Sequence, residues 1–129
     1  MAEKQIVRTE RAPAPFGGAP YNQAVSVGGF VFVAGQLGLV PDTAELVGAA
    51  IAEQTEQVMA NLAAILEEAG SSLDKLVKTT VFLTDLGDFA GMNEVYARHV
   101  GDRPPARSTI EISKLPSGAI VEIEAIAHL

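Results

Sequence analysis

The sequence contains no cysteine, and its two histidines, His99 and His128, lie far apart along the chain. Without cysteine, disulfides, thiolate nucleophiles and cysteine-ligated metal sites are excluded. Two separated histidines are too few for a typical histidine metal site. We therefore expect chemistry that needs neither a thiol nor a protein-bound metal.

Basic residues are also scarce: nine Lys and Arg stand against sixteen Asp and Glu, which gives a formal net charge of −7. Such a surface repels phosphate backbones and anionic membranes, so we expect neither nucleic acid nor membrane as a partner. No apolar run approaches the roughly 18 residues that a membrane span needs. Residues 1–5 also lack the basic-then-apolar layout of a signal peptide, so the predicted location is cytoplasmic.

Two common enzyme motifs are missing. Gly17 and Gly18 lead to a proline and a predicted strand rather than to a lysine-bearing helix N-terminus, which argues against a phosphate loop. The serines have no histidine and aspartate partners at a recognisable spacing. Nucleotide binding and triad hydrolysis are therefore disfavoured.

The composition favours a single domain, residues 1–129, that associates with copies of itself. The chain of 129 residues is long enough for one hydrophobic core and too short for two domains of ordinary size. It is 48% hydrophobic and only 19% charged. This apolar excess predicts burial of nonpolar surface between subunits, hence a homo-oligomer.

The first half of the chain predicts a loop followed by a hairpin. Residues 11–21 are dense in proline and glycine and predict an irregular segment in which Phe16 and Tyr21 are buried. Residues 23–27 and 30–36, joined by a Gly-Gly turn, predict a β-hairpin. Because its second strand is apolar on both faces, we expect helices on one face and another subunit on the other.

The second half predicts two helices and three strands. Apolar residues recur every three or four positions through residues 49–69, which indicates an amphipathic helix. The β-branched residues 76–84 predict a strand, and Asp85 and Asp88 offer caps for a second helix ending near His99. With two strands at the C-terminus, the order indicates an α+β sandwich with two helices on one sheet face.

The C-terminal strands carry the most informative charges. Residues 105–112 and 121–127, joined by a loop at 113–118, predict a hairpin that brings the polar face with Arg107 beside the face with Glu122. One interpretation is a cross-strand ion pair on a solvated sheet. The other is a carboxylate-binding site, because the planar arginine fork holds a small acid bidentately.

Six stretches together resemble the reactive intermediate deaminase (Rid, YjgF-type) family, also called L-PSP endoribonuclease, along nearly the whole chain and in order. They are residues 19–24 (APYNQA), 31–36 (VFVAGQ), 78–85 (KTTVFLTD), 92–96 (MNEVY), 105–108 (PARS) and 121–127 (VEIEAIA). The resemblance implies a chorismate-mutase-like α+β fold with a mixed sheet. It also implies a homotrimer around a central sheet barrel, with its sites in clefts between subunits.

The resemblance further implies an enzyme, a deaminase of the 2-iminobutanoate/2-iminopropanoate type. Such an enzyme hydrolyses reactive 2-enamine or 2-imine acids, such as 2-aminoacrylate and 2-aminocrotonate, to 2-keto acids and ammonia without a cofactor. The chemistry is modest, because an iminium carbon is already electrophilic and needs mainly orientation, a positioned water and a proton path.

Residue roles follow from the matching motifs. Arg107 is expected to clamp the substrate carboxylate, Glu122 to hold or polarise the attacking water, and Tyr21 to close the pocket and donate a hydrogen bond. The remaining expected substrate-binding positions are Asn93, Phe89, Thr109, Ala34 and Gly35.

Two of these positions depart from the family pattern, because Ala34 stands where a serine is usual and Thr109 where a cysteine is frequent. These departures motivate an alternative, a non-catalytic module that binds a 2-keto acid. Ribonuclease or translation-inhibitor activity is a further alternative attached to the family name. The negative charge and an aromatic content of 5% argue against this last reading.

Overall fold

A mixed β-sheet and two helices make up the computed structural model, which describes residues 3–129. The strands are β1 (Gln5–Val7), β2 (Ala24–Val27), β3 (Phe30–Leu37), β4 (Leu76–Leu83), β5 (Ala106–Glu111) and β6 (Val121–His128), and the helices are α1 (Ile51–Glu68) and α2 (Phe89–Val100). The sheet order is β1-β2-β3-β6-β4-β5. All neighbouring strands are antiparallel except β4 and β5, which are parallel.

The predicted hairpin and helices are confirmed. Strands β2 and β3 pair around Gly28 and Gly29, whose φ angles of 60° and 85° only glycine adopts without strain. Helix α1 begins two residues later than predicted, and α2 ends at Val100. Asp85 accepts a hydrogen bond from the Gly87 N–H at 2.7 Å, whereas the Asp88 side chain makes no cap bond. The short edge strand β1 was not predicted.

Helices α1 and α2 cover one face of the sheet and bury alternate residues of each central strand. In β6, Val121, Ile123 and Ala127 are fully buried, and Val31 occupies the same layer in β3. The apolar stripe of α1 packs on them with Val58, Met59, Leu62, Ile65 and Leu66. Each such large aliphatic side chain contributes about 1.5–3 kcal/mol through burial, so the helix layer fixes which strand residues face inward.

The C-terminal hairpin is a wrong prediction. Strand β6 lies between β3 and β4, while β5 pairs only with β4, at the edge of the sheet. The physical reason is the β4-α2-β5 crossover, since a strand that follows a packed helix returns parallel to the first strand. The apolar β6 then takes a central place, and the polar β5 takes the edge.

The other face of the sheet is not covered by either helix of residues 3–129. Phe30 and Phe32 of β3 point to this side and are 43% and 40% exposed. Strand β3 is therefore apolar on both faces, as predicted, and a single chain covers only one of them.

Within residues 3–129, neither helix combines the length and apolar character that crossing a bilayer requires.

Candidate functional site

The expected site residues form two groups on opposite faces of the sheet. The arginine group lies on the helix side of the β5 edge and comprises Arg107, Thr109, Phe89 and Asn93. The glutamate group surrounds the far face of β6 and comprises Glu122, Ala34, Gly35 and Tyr21.

Arg107 is placed on the helix side by its strand register. It pairs with Thr79 of β4, which is fully buried beneath α2. The Arg107 guanidinium carbon lies 4.9 Å from the ring centroid of Tyr96 and 5.5 Å from that of Phe89. A cation over an aromatic face gains about 0.5–2 kcal/mol, more as water is excluded, so the two rings orient the arginine.

Helix α2 supplies the wall beside this arginine. Phe89, Asn93 and Tyr96 follow one another at spacings of four and three residues, which places them on one face of the helix. Asn93 is half-buried there. Thr109 lies two residues beyond Arg107 on the same face of β5 and is also half-buried. The arginine group therefore presents cationic, amide and hydroxyl donors together.

Within residues 3–129, the guanidinium of Arg107 contacts aromatic rings but has no hydrogen-bond or ion-pair partner. Among residues 3–129, all carboxylate ion pairs involve Arg11, Arg98 or His99, and Arg107 takes part in no hydrogen bond through its side chain. The cross-strand ion pair with Glu122 considered above is therefore absent from the described chain. A half-buried guanidinium with five free donors is suited to an incoming carboxylate.

Glu122 lies on the opposite face. Its neighbours Val121 and Ile123 are fully buried under the helices, so strand alternation turns Glu122 to the far side of the sheet. Partial burial raises the pKa of Glu122, and the negative charge of Glu124 on the same face raises it further. A carboxylate with a raised pKa is a better proton acceptor for water near neutral pH.

Gly35 lies directly against the Glu122 side chain, and a larger residue at this position would displace the carboxylate. A Cβ atom at position 35 would lie 2.8 Å from the Glu122 carboxyl carbon. The register of β3 against β6 shifts between Val33 and Gln36, and the Gln36 amide donates to the Ala34 carbonyl at 3.1 Å. This shift in strand register brings the backbone of Ala34 and Gly35 beside the Glu122 carboxylate.

Tyr21 reaches this group from the N-terminal loop. The buried Gln23 amide organises the loop by donating to the carbonyls of Thr9, Ala12 and Pro13, and Tyr21 and Gly35 line one small cleft. The Tyr21 hydroxyl accepts a hydrogen bond from the Phe16 N–H at 3.0 Å, which leaves its proton free to be donated. The prediction that Phe16 and Tyr21 are buried is wrong for the single chain, because they are 43% and 42% exposed.

A cavity beside the N-terminal loop does not coincide with either group. It has a volume of about 630 Å³ and runs along the N-terminal loop, where Tyr21 is its only expected site residue. Neither Arg107 nor Glu122 lines this cavity, so it does not contain the expected carboxylate anchor or the expected base. Within the described residues, no three histidine or carboxylate side chains lie close enough to ligate one metal ion.

Sequence reasoning missed the contribution of Tyr96 and Thr79. Tyr96 was not among the expected site residues, yet its ring faces Arg107 and its hydroxyl contacts Thr79 Oγ1 at 2.6 Å. A tyrosine rather than a phenylalanine on a buried helix face was the available signal, because a buried phenol needs a partner.

Comparisons with known proteins agree with the motifs. The family model described as Endoribonuclease L-PSP matches residues 9–129. A RutC family protein of Pyrococcus abyssi is 53% identical over 125 residues, which are 97% of each chain. Reactive Intermediate Deaminase A, chloroplastic, of Arabidopsis thaliana is 45% identical over 127 residues, covering 98% of this chain and 67% of the plant protein.

A solved structure shows the same fold. TdcF of E. coli with bound serine superposes with a TM-score of 0.90 at 40% identity, over 97% of this chain and 98% of that one. At this identity and coverage the likeness extends beyond fold to family. The chain belongs to the reactive intermediate deaminase (Rid) family, which the matching family model names endoribonuclease L-PSP.

Proposed function

We propose that this protein hydrolyses reactive 2-enamine and 2-imine acids, such as 2-aminoacrylate and 2-aminocrotonate, to 2-keto acids and ammonia. The observation that carries the proposal is the half-buried Arg107, whose guanidinium contacts two aromatic rings and no acceptor among residues 3–129. A substrate carboxylate supplies the missing acceptor. The deaminase name of the plant relative and the serine bound to TdcF, an amino acid with such a carboxylate, support the same substrate class.

The reaction needs one water and balanced proton transfers. An enamine acid first takes a proton on carbon and becomes the iminium, whose C2 is electrophilic. Glu122 accepts a proton from water as the water oxygen attacks C2, which gives a neutral carbinolamine. Glu122 then returns that proton to the nitrogen, and ammonia leaves as the carbinolamine hydroxyl gives its proton back to Glu122, which leaves the 2-keto acid. The raised pKa of Glu122 favours its acceptance of the proton from water.

The site is proposed to lie between subunits of a homotrimer. In one chain, Arg107 and Glu122 occupy opposite faces, and their strands β5 and β6 are separated by β4, a lateral distance of about 9–10 Å. One substrate molecule cannot readily touch both. A neighbouring subunit docked on the uncovered face would bury Phe30 and Phe32 and bring its own Arg107 to Glu122.

The activity test couples a pyridoxal-phosphate dehydratase, which releases 2-aminoacrylate or 2-aminocrotonate, to detection of the keto acid. We expect the protein to accelerate keto-acid release above the spontaneous rate. If the folded protein binds 2-oxobutanoate but gives no acceleration, the binding-module alternative replaces the deaminase. If it shows neither, both readings are wrong.

Subunit complementation tests the shared site. Arg107→Ala and Glu122→Gln proteins, each inactive alone, are mixed in equal amounts, unfolded and refolded together. If each site takes Arg107 from one subunit and Glu122 from the next, every mixed trimer contains one intact site. Random assembly then restores about one quarter of wild-type activity. No recovery in mixed trimers confirmed by mass spectrometry would place both residues in one subunit.

Ribonuclease activity is not proposed for this chain despite the name of the family model. The net charge of −7 opposes binding of a polyphosphate backbone. The free arginine is also flanked by an aromatic wall suited to a single small acid.

A further inference from the structure

We propose that Tyr96 is a positioning residue for Arg107, held in place by Thr79. This inference rests on the proposed function in one respect, since it assigns to Tyr96 an effect on substrate affinity. The physical claim, that one buried ring determines the orientation of the guanidinium, concerns the protein alone.

The first step is that the Tyr96 ring is itself immobile. Tyr96 is 5% exposed and Thr79 is fully buried, and their hydroxyl oxygens lie 2.6 Å apart. Either hydroxyl left alone in this interior would lose its only hydrogen-bond partner, which is costly when no water can replace it. The bond therefore ties α2 to β4 and fixes the plane of the ring.

The second step is that Arg107 depends on that ring. Thr79 pairs directly with Arg107 across the parallel β4–β5 ladder, so the residue that fixes the ring also lies beside the arginine. Phe89, the other ring near the guanidinium, is 42% exposed and lacks a hydrogen bond of its own to restrain it. With no acceptor for Arg107 among residues 3–129, Tyr96 is its one rigid contact.

The third step concerns substrate binding. An arginine already held over a ring loses less rotamer freedom when a carboxylate binds than one that moves freely. Without the ring, Arg107 would lose this rotamer freedom only when the substrate binds, and substrate binding would be weaker by that entropic cost. The effect should therefore appear in KM for the anionic substrate and much less in kcat, because the water and its base lie in the other group.

The test compares Tyr96→Leu and Tyr96→Phe with wild type. Tyr96→Leu should raise KM about 5- to 10-fold with kcat changed by less than about twofold. Tyr96→Phe keeps the ring but loses the bond to Thr79, so its KM should lie between those of wild type and Tyr96→Leu. Val95→Ala, a truncation of a buried neighbour on the same helix, is the matched control and should leave KM unchanged.

A spectroscopic measurement separates this inference from the proposed function. In ¹⁵N-labelled wild-type protein, the Arg107 Nε–H proton should show an upfield ring-current shift, which Tyr96→Leu reduces strongly and Tyr96→Phe reduces less, because only the Phe variant keeps a ring at this position. An unshifted Arg107 signal in wild type overturns the inference, as does an unchanged KM in folded Tyr96→Leu protein. If wild type releases no keto acid, the proposed function fails, and the Nε–H shift still decides the positioning claim.

Discussion

Replacing Arg107 with alanine is expected to lower kcat/KM for 2-imine acids by about 100- to 1,000-fold, the equivalent of about 3–4 kcal/mol. The substitution removes a bidentate, charge-assisted contact with the substrate carboxylate. It should not unfold the protein, because Arg107 lies on the edge strand β5 and its guanidinium contacts two rings but makes no hydrogen bond or ion pair within residues 3–129. The measurement is keto-acid release at several substrate concentrations, with circular dichroism as the check on folding.

Two further variants make the arginine experiment specific. Arg11 is an exposed arginine that pairs with Glu67 at 3.0 Å and belongs to neither group, so Arg11→Ala should retain wild-type kinetics. Arg107→Lys keeps the charge but loses the planar fork, and its activity should fall between wild type and Arg107→Ala. Undiminished activity in folded Arg107→Ala protein would contradict the assignment of the carboxylate anchor.

Replacing Glu122 with glutamine is expected to lower kcat by about 100-fold or more, because a positioned general base contributes about 10²–10⁴. The amide has nearly the same shape and cannot take a proton from water. Unlike Arg107→Ala, this change should leave binding of 2-oxobutanoate nearly intact. Loss of binding together with loss of turnover would instead make Glu122 a ligand-binding residue.

Glu124→Gln is the matched control on the same strand, and it tests the electrostatics of the site. The negative charge of Glu124 raises the pKa of Glu122, so its removal must lower that pKa. In the proposed mechanism the active species is ionised Glu122, hence the acid limb of the kcat/KM profile should move to lower pH while the plateau is unchanged. A profile that does not move, or moves to higher pH, would show that the acid limb reflects the titration of a group other than Glu122.

The same pKa direction predicts the sign of a stability effect. Because folding raises the pKa of Glu122, ionisation costs the folded state stability as pH rises from the unfolded-state pKa through the folded-state pKa. Because glutamine cannot ionise, the Glu122→Gln protein does not undergo this decrease in the free energy of unfolding. The free energy of unfolding of the variant should therefore exceed that of wild type near pH 7, and the gain should vanish in acid.

The local sequence pattern determined much of the secondary structure of this protein. The Gly28–Gly29 hairpin, the helical period of α1 and the β-branched run of β4 were each readable, because turn conformation, helical spacing and strand alternation depend on residues close in sequence. The six motifs identified the family, which the comparisons confirm. They also singled out Arg107 and Glu122 as the charged candidates.

Only the tertiary structure decided where those two charges lie. Consecutive strands β5 and β6 looked like a hairpin, but the crossover through α2 places β5 at the edge and β6 at the centre. Arg107 and Glu122 thereby fall on opposite faces, and Tyr96 becomes a partner of Arg107. Strand order and facing depend on how distant elements pack together, and no short stretch of sequence contains that information.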